Sequence, residues 1–379
     1  PFAFPTSTSP PGLGISGMIE SLKSEFLKLL CNAGEAVSDE DPFTFARLGE
    51  GRGFSSLLWS VTIGSRSYAV KVTDTVSRVD EIANMVSLQE DQKADFARLF
   101  GEQHNRELQV YEWFKGRGIP EIPKFYAGTP CKDGNPGIIL MQSFASSEYT
   151  LREDEGLSLS TVRSILDTIC SYQAAFNFPS EDSINLIPKD LFFSMASPTY
   201  KKCVEKVAEK GWMKEQWKRE LLAWCEIPVL NRIQNARTEG DPPLTLAHCD
   251  LWANNLILAR REEQVHLLAI VDWQCAVVGN ALLDVSSVVG INMNPEERRE
   301  HEDEIIREYV ETISEKCDYT IEKSHPFAIN YEQARRLYRR GLRFAAIQLS
   351  LVLGTHCDDD TRERTLTARL KAILEDIVS

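Results

Sequence analysis

The chain has 379 residues, 43% hydrophobic and 26% charged, with a formal net charge of −14. That length buries one large core or two, and the acidic balance argues against nucleic acid as a partner, since a phosphate-backbone binder needs a basic face. Nine cysteines occur singly, with no C-x-x-C, which reads as reduced thiols rather than a disulfide framework or a zinc site; no apolar run approaches the roughly 20 residues of a membrane span.

The opening stretch PFAFPTSTSPPGLGISG has neither an initiator Met nor the basic-then-apolar order of a signal peptide. Residues 1–18 read as a flexible lead or the cut end of a longer chain, and the expected location is cytoplasmic by default. MIESLKSEFLKLL then shows helical apolar spacing. From about Phe43 to Asp74 the pattern alternates, is rich in β-branched and aromatic residues and is punctuated by glycines, which predicts three strands. A long helical segment follows, ending in FARLFGEQHNRELQVYEWFKGRG, and then two short strands, IPKFYAG and GIILMQSF. Beyond the polar connection SEYTLREDEGLS the chain is mostly helical, with helices predicted over 158–177, 198–210, 213–235, 295–316 and 330–353. A last amphipathic helix is predicted in TRERTLTARLKAILEDIV. Three strand-like runs, LTLAH, NLILA and HLLAIVDW, lie among these helices. Trp212, Trp217 and Trp224 read as core or groove wall rather than a cofactor box. The order is a small β-rich portion with one prominent helix, residues 19–141, then a large helical portion, 142–379, with a short β insertion.

Phosphoryl transfer from ATP asks for a limited set of parts, because positioning and charge neutralisation do most of the work. GEGRGFSS carries Gly49, Gly51 and Gly53 at alternate positions between strand candidates; without Cβ atoms these let the backbone approach a phosphate. A plain hairpin turn is the competing reading, and no Walker A motif is present. YAVKV sets Lys71 inside a strand, on the face shared with Ala69 and opposite Val70 and Val72. Solvent is the ordinary destination of such a lysine, yet the pattern is close to the V-A-I-K of kinases. Glu107, in HNRELQVYEW on the following helix, is its candidate partner, with Glu102 and Glu112 as rivals. LAHCDLWANNLIL fits H-x-D-x-x-x-x-N, which casts Asp250 as base and Asn255 as a Mg²⁺ ligand; Asx turn chemistry is the rival account. Seventeen residues after Asn255, LLAIVDWQ ends an apolar strand on Asp272, where a carboxylate is costly unless a cation offsets it.

HCDLWANN, AIVDWQ and GNALLDVSS together resemble the aminoglycoside phosphotransferase–choline kinase superfamily, and within it the ecdysteroid kinase-like, or CHK kinase-like, branch. GEGRGFSS, YAVKV, HNRELQVYEWF and GIILMQSF match in order, so the resemblance covers about residues 46–315. It implies an α+β, two-lobed protein kinase-like fold, with a small β-rich N-lobe carrying one main helix and a large, mostly helical C-lobe. It also implies ATP, Mg²⁺ and transfer of a phosphoryl group to a hydroxyl of a small organic acceptor. Asp250 would be the catalytic base, Asn255 and Asp272 the metal ligands, and Lys71 with Glu107 would serve the phosphates beside Gly51 and Gly53. Gln142 to Phe144 would be an adenine-binding hinge working through its main chain. His248 and Asp284 would support the catalytic loop, a helix N-terminal acid being the plainer reading of Asp284. The family's glycine between His and Asp is Cys249 here.

A steroid-like alcohol, an amino alcohol, an aminosugar or a xenobiotic hydroxyl all remain open as acceptor. The alternative from another class is a catalytically silent kinase-fold module that binds nucleotide or a partner. A metal-dependent hydrolase built on THCDDDTRE is weaker, because His356 and the Asp run fit the polar break before the last helix.

Overall fold

The computed structural model describes residues 15–48, 56–75, 79–80, 90–132, 135–144, 156–176, 189–235, 242, 244–261, 264–318, 327–355 and 359–378. The chain divides into two compact units, Pro1–Gly116 with Pro123–Glu148, and Arg117–Ile122 with Tyr149–Ser379. Residues 1–14 of the expected lead lie outside the described residues, and the first helix, α1, already begins at Ile15.

The first unit comprises α1 (Ile15–Asn32), β1 (Phe43–Leu48), β2 (Leu57–Ile63), β3 (Arg66–Thr73), α2 (Glu90–Phe114), β4 (Phe125–Thr129) and β5 (Gly137–Gln142). The strands form one antiparallel sheet in the order β1-β2-β3-β5-β4. β2 and β3 join through Gly64 and Ser65, and Gly64 takes φ 64°, which suits the primed turns that match strand twist. Period-two alternation then divides β3 between two faces. Tyr68, Val70 and Val72 join Trp59, Val61, Ile63, Ile138 and Leu140 in a core closed by Phe26 and Leu30 of α1. Lys71 and Thr73 point the other way, toward α2.

The second unit comprises α3 (Leu159–Ala175), α4 (Lys189–Ala208), α5 (Glu215–Trp224), α6 (Ile227–Asn235), β6 (Thr245–Ala247), β7 (Leu256–Arg261), β8 (Gln264–Ile270), β9 (Val277–Gly279), α7 (Leu283–Asn292), α8 (Pro295–Asp318), α9 (Tyr331–Thr355) and α10 (Asp360–Ile377). β6 pairs with β9 and β7 with β8, both antiparallel. At the centre lies α7, every residue of which is buried. α9 approaches it closely at Gly341, where any Cβ would run into the Ser286 side chain. Trp217 and Trp224 are buried among the helices and Trp212 is half-buried.

Some elements differ from expectation for identifiable reasons. Residues 213–235 form two helices instead of one, because the ring of Pro228 meets the carbonyl four residues back, at Trp224, where α5 stops. The helix expected to open at Pro198 begins at Lys189 and runs through that proline. Burial of Phe193 and Ser197, one turn apart on the same side, offsets the backbone bond the proline forfeits. No bounds were predicted for α7, since a helix apolar all round carries no amphipathic period, although Asp284 read as a helix-start acid. β9 is three residues long, too short to show alternation. Of the stretch read as the polar break before the last helix, 356–358 lie outside the described residues, while Asp359 caps α10 by accepting the N–H of Arg362 (2.8 Å).

Candidate active site

The first cluster is built on β3 and α2. Lys71 is 7% exposed and Glu107 fully buried, and Lys71 Nζ donates to Glu107 Oε2 at 2.5 Å. Removing either ion from water is costly alone; together and in hydrogen-bonding geometry each compensates the other. Glu102 is half-buried and Glu112 exposed, on other faces of α2. One turn before Glu107, His104 ties the helix to the sheet. Its Nε2 meets the Thr129 carbonyl (2.9 Å) and its Nδ1 the Thr73 hydroxyl (3.0 Å). A carbonyl only accepts, so Nε2 carries the proton and Nδ1 takes the hydroxyl's hydrogen. Burial pushes the His104 imidazole down to about 4, opposed in part by the Thr129 bond and reinforced by the charge of Lys71.

At the end of β5, the Gln142 N–H donates to Lys124 O (2.8 Å) and the Gln142 side chain accepts the Lys124 N–H (3.2 Å). That N–H is therefore committed to the sheet edge, and Phe144, two residues on, is half-buried. Gly51 and Gly53, with Gly49, lie outside the described residues.

The second cluster grows from the β6–β7 connection. Asp284, fully buried in the first turn of α7, accepts the main-chain N–H groups of His248 (2.8 Å) and Cys249 (2.9 Å) and the Tyr172 hydroxyl (2.5 Å). Burial, and the Asp284 charge beside it, push the Tyr172 phenol well up, so it stays a donor. The His248 ring donates from Nε2 to the Val271 carbonyl (2.9 Å) and accepts the Asp250 N–H at Nδ1 (3.2 Å). Trp273, fully buried, packs against both rings, tilted to His248 with ring centres 4.6 Å apart and edge-on to Tyr172 at 5.2 Å.

Asp250, Asn255 and Asp272 are assembled by the β7–β8 hairpin. Asn255 immediately precedes β7 and Asp272 follows β8 after Val271, so both stand at the same end of the paired strands, with Leu256 opposite Ile270. The Val271 N–H donates to the Asn255 carbonyl (3.0 Å) and closes that end. Asn255 Nδ2 reaches the Asp250 carbonyl (2.7 Å) and Asp250 Oδ2 (2.9 Å). Its amide oxygen is thereby directed away from Asp250. Asp272 sits in the left-handed region, φ 66° and ψ 62°, a conformation costly for a residue with a Cβ and found where surroundings impose it. The next residue, Trp273, is fully buried. Cys249, next to Asp250, is also strained, φ 63° and buried.

Gln348 and Ser287 also belong to this cluster and escaped sequence reasoning. Gln348 Nε2 donates to the Cys249 carbonyl (3.0 Å) and Asp250 Oδ1 (3.3 Å), and its Oε1 accepts from Ser287 Oγ (3.2 Å). The available signal was a lone amide in the apolar run FAAIQLSLVLG. Mg²⁺ fits the second cluster: the Asn255 amide oxygen and Asp272 carboxylate are hard oxygen donors, and Mg²⁺ commonly takes one or two such side chains together with phosphate and water. Among the described residues no cluster of three His, Cys, Asp or Glu could hold a metal alone, and no helix is long and apolar enough to cross a membrane.

A small antiparallel sheet carrying a long helix, followed by a large helical unit that presents its loops from short hairpins, defines the two-lobed α+β protein kinase-like fold. Two solved structures share it: a Ralstonia eutropha JMP134 protein provisionally named an aminoglycoside phosphotransferase, and choline kinase from Cryptosporidium parvum Iowa II. The first aligns with a TM-score of 0.51 and 14% identity over 91% of this chain and 95% of its own. The second gives 0.52 and 11% over 93% and 95%. Residues 44–379 match the model of the ecdysteroid kinase-like family, whose description reads uncharacterized oxidoreductase dhs-27, and the chain belongs to that family. No curated protein sequence matches it. The oxidoreductase wording sits uneasily with the fold, because a dinucleotide-binding domain is built on parallel strands and every strand pair among the described residues is antiparallel.

Proposed function

We propose that the protein is an ATP- and Mg²⁺-dependent kinase that transfers the γ-phosphoryl group to a hydroxyl of a small organic molecule. The observation that carries this reading is the bonded set at the open end of the β7–β8 hairpin, in which Asn255 bonds the Asp250 carboxylate through its side chain and Val271, the residue before Asp272, through its main chain. Turn chemistry alone requires neither the Asn255–Asp250 side-chain bond nor the main-chain bond that sets Asp272 at the same end of the hairpin.

Asp250 receives the proton of the acceptor hydroxyl as the alcohol oxygen forms its bond to the γ-phosphorus. The bond from that phosphorus to the bridging oxygen breaks, and ADP leaves with the electron pair. Asn255 and Asp272 would hold Mg²⁺, which when bound would neutralise charge on the phosphate oxygens. Lys71, oriented by Glu107, supplies a fixed positive charge to the α- and β-phosphates. For adenine, the Gln142 carbonyl and main-chain groups toward Phe144 are the hinge candidates, because the Gln142 N–H already serves Lys124. His248 and Asp284 hold the loop in place. Placement and charge neutralisation, rather than covalent chemistry, supply the rate.

The test is ATP consumption against pooled steroid-like alcohols, amino alcohols, aminosugars and xenobiotic alcohols, with mass spectrometry for a phosphate-shifted product. Asp272→Ala is expected to abolish Mg²⁺-dependent nucleotide binding. Asp250→Asn is expected to bind nucleotide normally and lose turnover by at least about a hundredfold, within the usual range for acid–base groups. Equal turnover by the wild type and Asp250→Asn would refute the proposal. Nucleotide binding without transfer to any alcohol would favour the silent binding module.

A further inference from the structure

The Asp250 carboxylate is held from two sides by amides of different origin. Asn255, in its own loop, donates to Oδ2, whereas Gln348, from α9, donates to Oδ1 and to the Cys249 carbonyl. The orientation of the Gln348 amide follows from its partners. The Cys249 carbonyl and the Asp250 carboxylate both accept, so the two N–H bonds of Nε2 must face them, and Oε1 faces the Ser287 hydroxyl. A flipped amide would set oxygen against two acceptors.

The scaffold behind this contact is rigid. Gln348 lies seven residues, two turns, beyond Gly341, so both occupy the α9 face that packs on α7. Gly341 meets Ser286 and Gln348 meets Ser287, its sequence neighbour. Between the two helices the strained Cys249 peptide is gripped at both ends, its N–H by Asp284 of α7 and its carbonyl by Gln348 of α9. A left-handed residue with a side chain persists only where its surroundings over-determine it.

We propose that Gln348 is a positioning residue that fixes the rotation of the Asp250 carboxylate, so that one Oδ1 lone pair is directed at the incoming hydroxyl. The inference rests on the kinase reading above and adds to it a part supplied by a remote helix. The Gln348 side chain bonds to Cys249, Asp250 and Ser287, and its described bonds include neither Asn255 nor Asp272. Its loss therefore acts on the chemical step and leaves Mg·ATP binding alone, since a small misplacement of a reacting group costs up to about a hundredfold.

The experiment compares full-length wild type, Gln348→Leu and Gln348→Glu with Mg·ATP and whichever panel alcohol the wild type phosphorylates fastest. Gln348→Leu is expected to lower kcat at least about tenfold, with KM for ATP unchanged within about twofold. Gln348→Glu, although it matches glutamine in shape, is expected to be slower still, because it places a carboxylate against Asp250 and the Cys249 carbonyl. A packing role predicts the opposite ranking, with the isosteric glutamate the milder change. Transfer by the wild type with Gln348→Leu at wild-type kcat, or with Gln348→Glu faster than Gln348→Leu, would overturn the inference and leave the kinase reading intact. No transfer by the wild type would sink the kinase reading instead. The contact itself is then decided by ¹⁵N-glutamine labelling: the Gln348 side-chain signal, assigned by its loss in Gln348→Leu, must move in Asp250→Ala, and an unmoved signal overturns the inference.

Discussion

Replacing His104 by glutamine tests whether a neutral imidazole couples the sheet to α2. In the folded chain burial holds the ring near 4, against an ordinary value of 6.5. Above about pH 6.5 the ring is neutral whether the chain is folded or not, and its contribution is fully present. As pH falls from there toward 4 the unfolded chain takes up a proton that the folded chain refuses, so stability declines. At pH 5 the loss relative to pH 7 is about 2 kcal/mol, from a shift of about 1.4 kcal/mol per pH unit over the part of the window covered. Because a chain of two units need not unfold in a single step, the assay is local: hydrogen exchange of β3 and α2 amides, corrected for intrinsic rates, at pH 7 and pH 5. Wild-type protection should fall about 30-fold more than that of His104→Gln, which is the same free energy expressed as an equilibrium ratio. Glutamine can still donate to the Thr129 carbonyl and accept from Thr73, so the variant keeps its tether without a titrating group. An equal fall in both proteins would refute the reasoning.

Two further outcomes follow from strained or buried groups. Lys71→Met leaves the buried Glu107 carboxylate without its cation and should destabilise the first unit by about 3–5 kcal/mol, and adding Glu107→Leu should restore much of that loss in denaturant unfolding. Cys249→Gly should be tolerated within about 1 kcal/mol, whereas Cys249→Val, β-branched at φ 63°, should cost more than about 2 kcal/mol and reduce any phosphoryl transfer, as read from unfolding midpoints and the panel assay.

Much of the fold was legible because its elements are one-sided. α8, α9 and α10 carry amphipathic stripes, and β2 and β3 alternate, so period alone located them within a few residues. Lys71 could be placed opposite Val70 and Val72 for the same reason. α7 was hidden: burial on every side erases the contrast that periodicity measures, and Asp284 within it looked like an ordinary helix-start acid. The break at Pro228 and the run through Pro198 show the limit of local rules, since one proline ends a helix and the other is overridden by burial of Phe193. In the site, order along the chain was enough to nominate Asp250, Asn255 and Asp272, because a hairpin brings its two ends together. Of the cross-links, the support by Asp284 came only through the family resemblance, and the contact of Gln348 was not readable at all. Asp284 reaches the His248 and Cys249 main chain from about 35 residues away, and Gln348 reaches Asp250 from 98 residues away. Such bonds depend on tertiary packing, and a single amide in an apolar helix announces only that it has some partner.

The placement of Asp284 bears on when the loop becomes ordered. Its carboxylate has no route to solvent, and two of its three bonds come from the main chain of His248 and Cys249. Swinging that segment outward would strand a bare negative charge in the protein interior, a far larger penalty than a loop normally faces. The stretch that bears Asp250 is thus set by the fold itself, and in the proposed kinase the favourable energy of binding would go into aligning the reactants and not into building the loop.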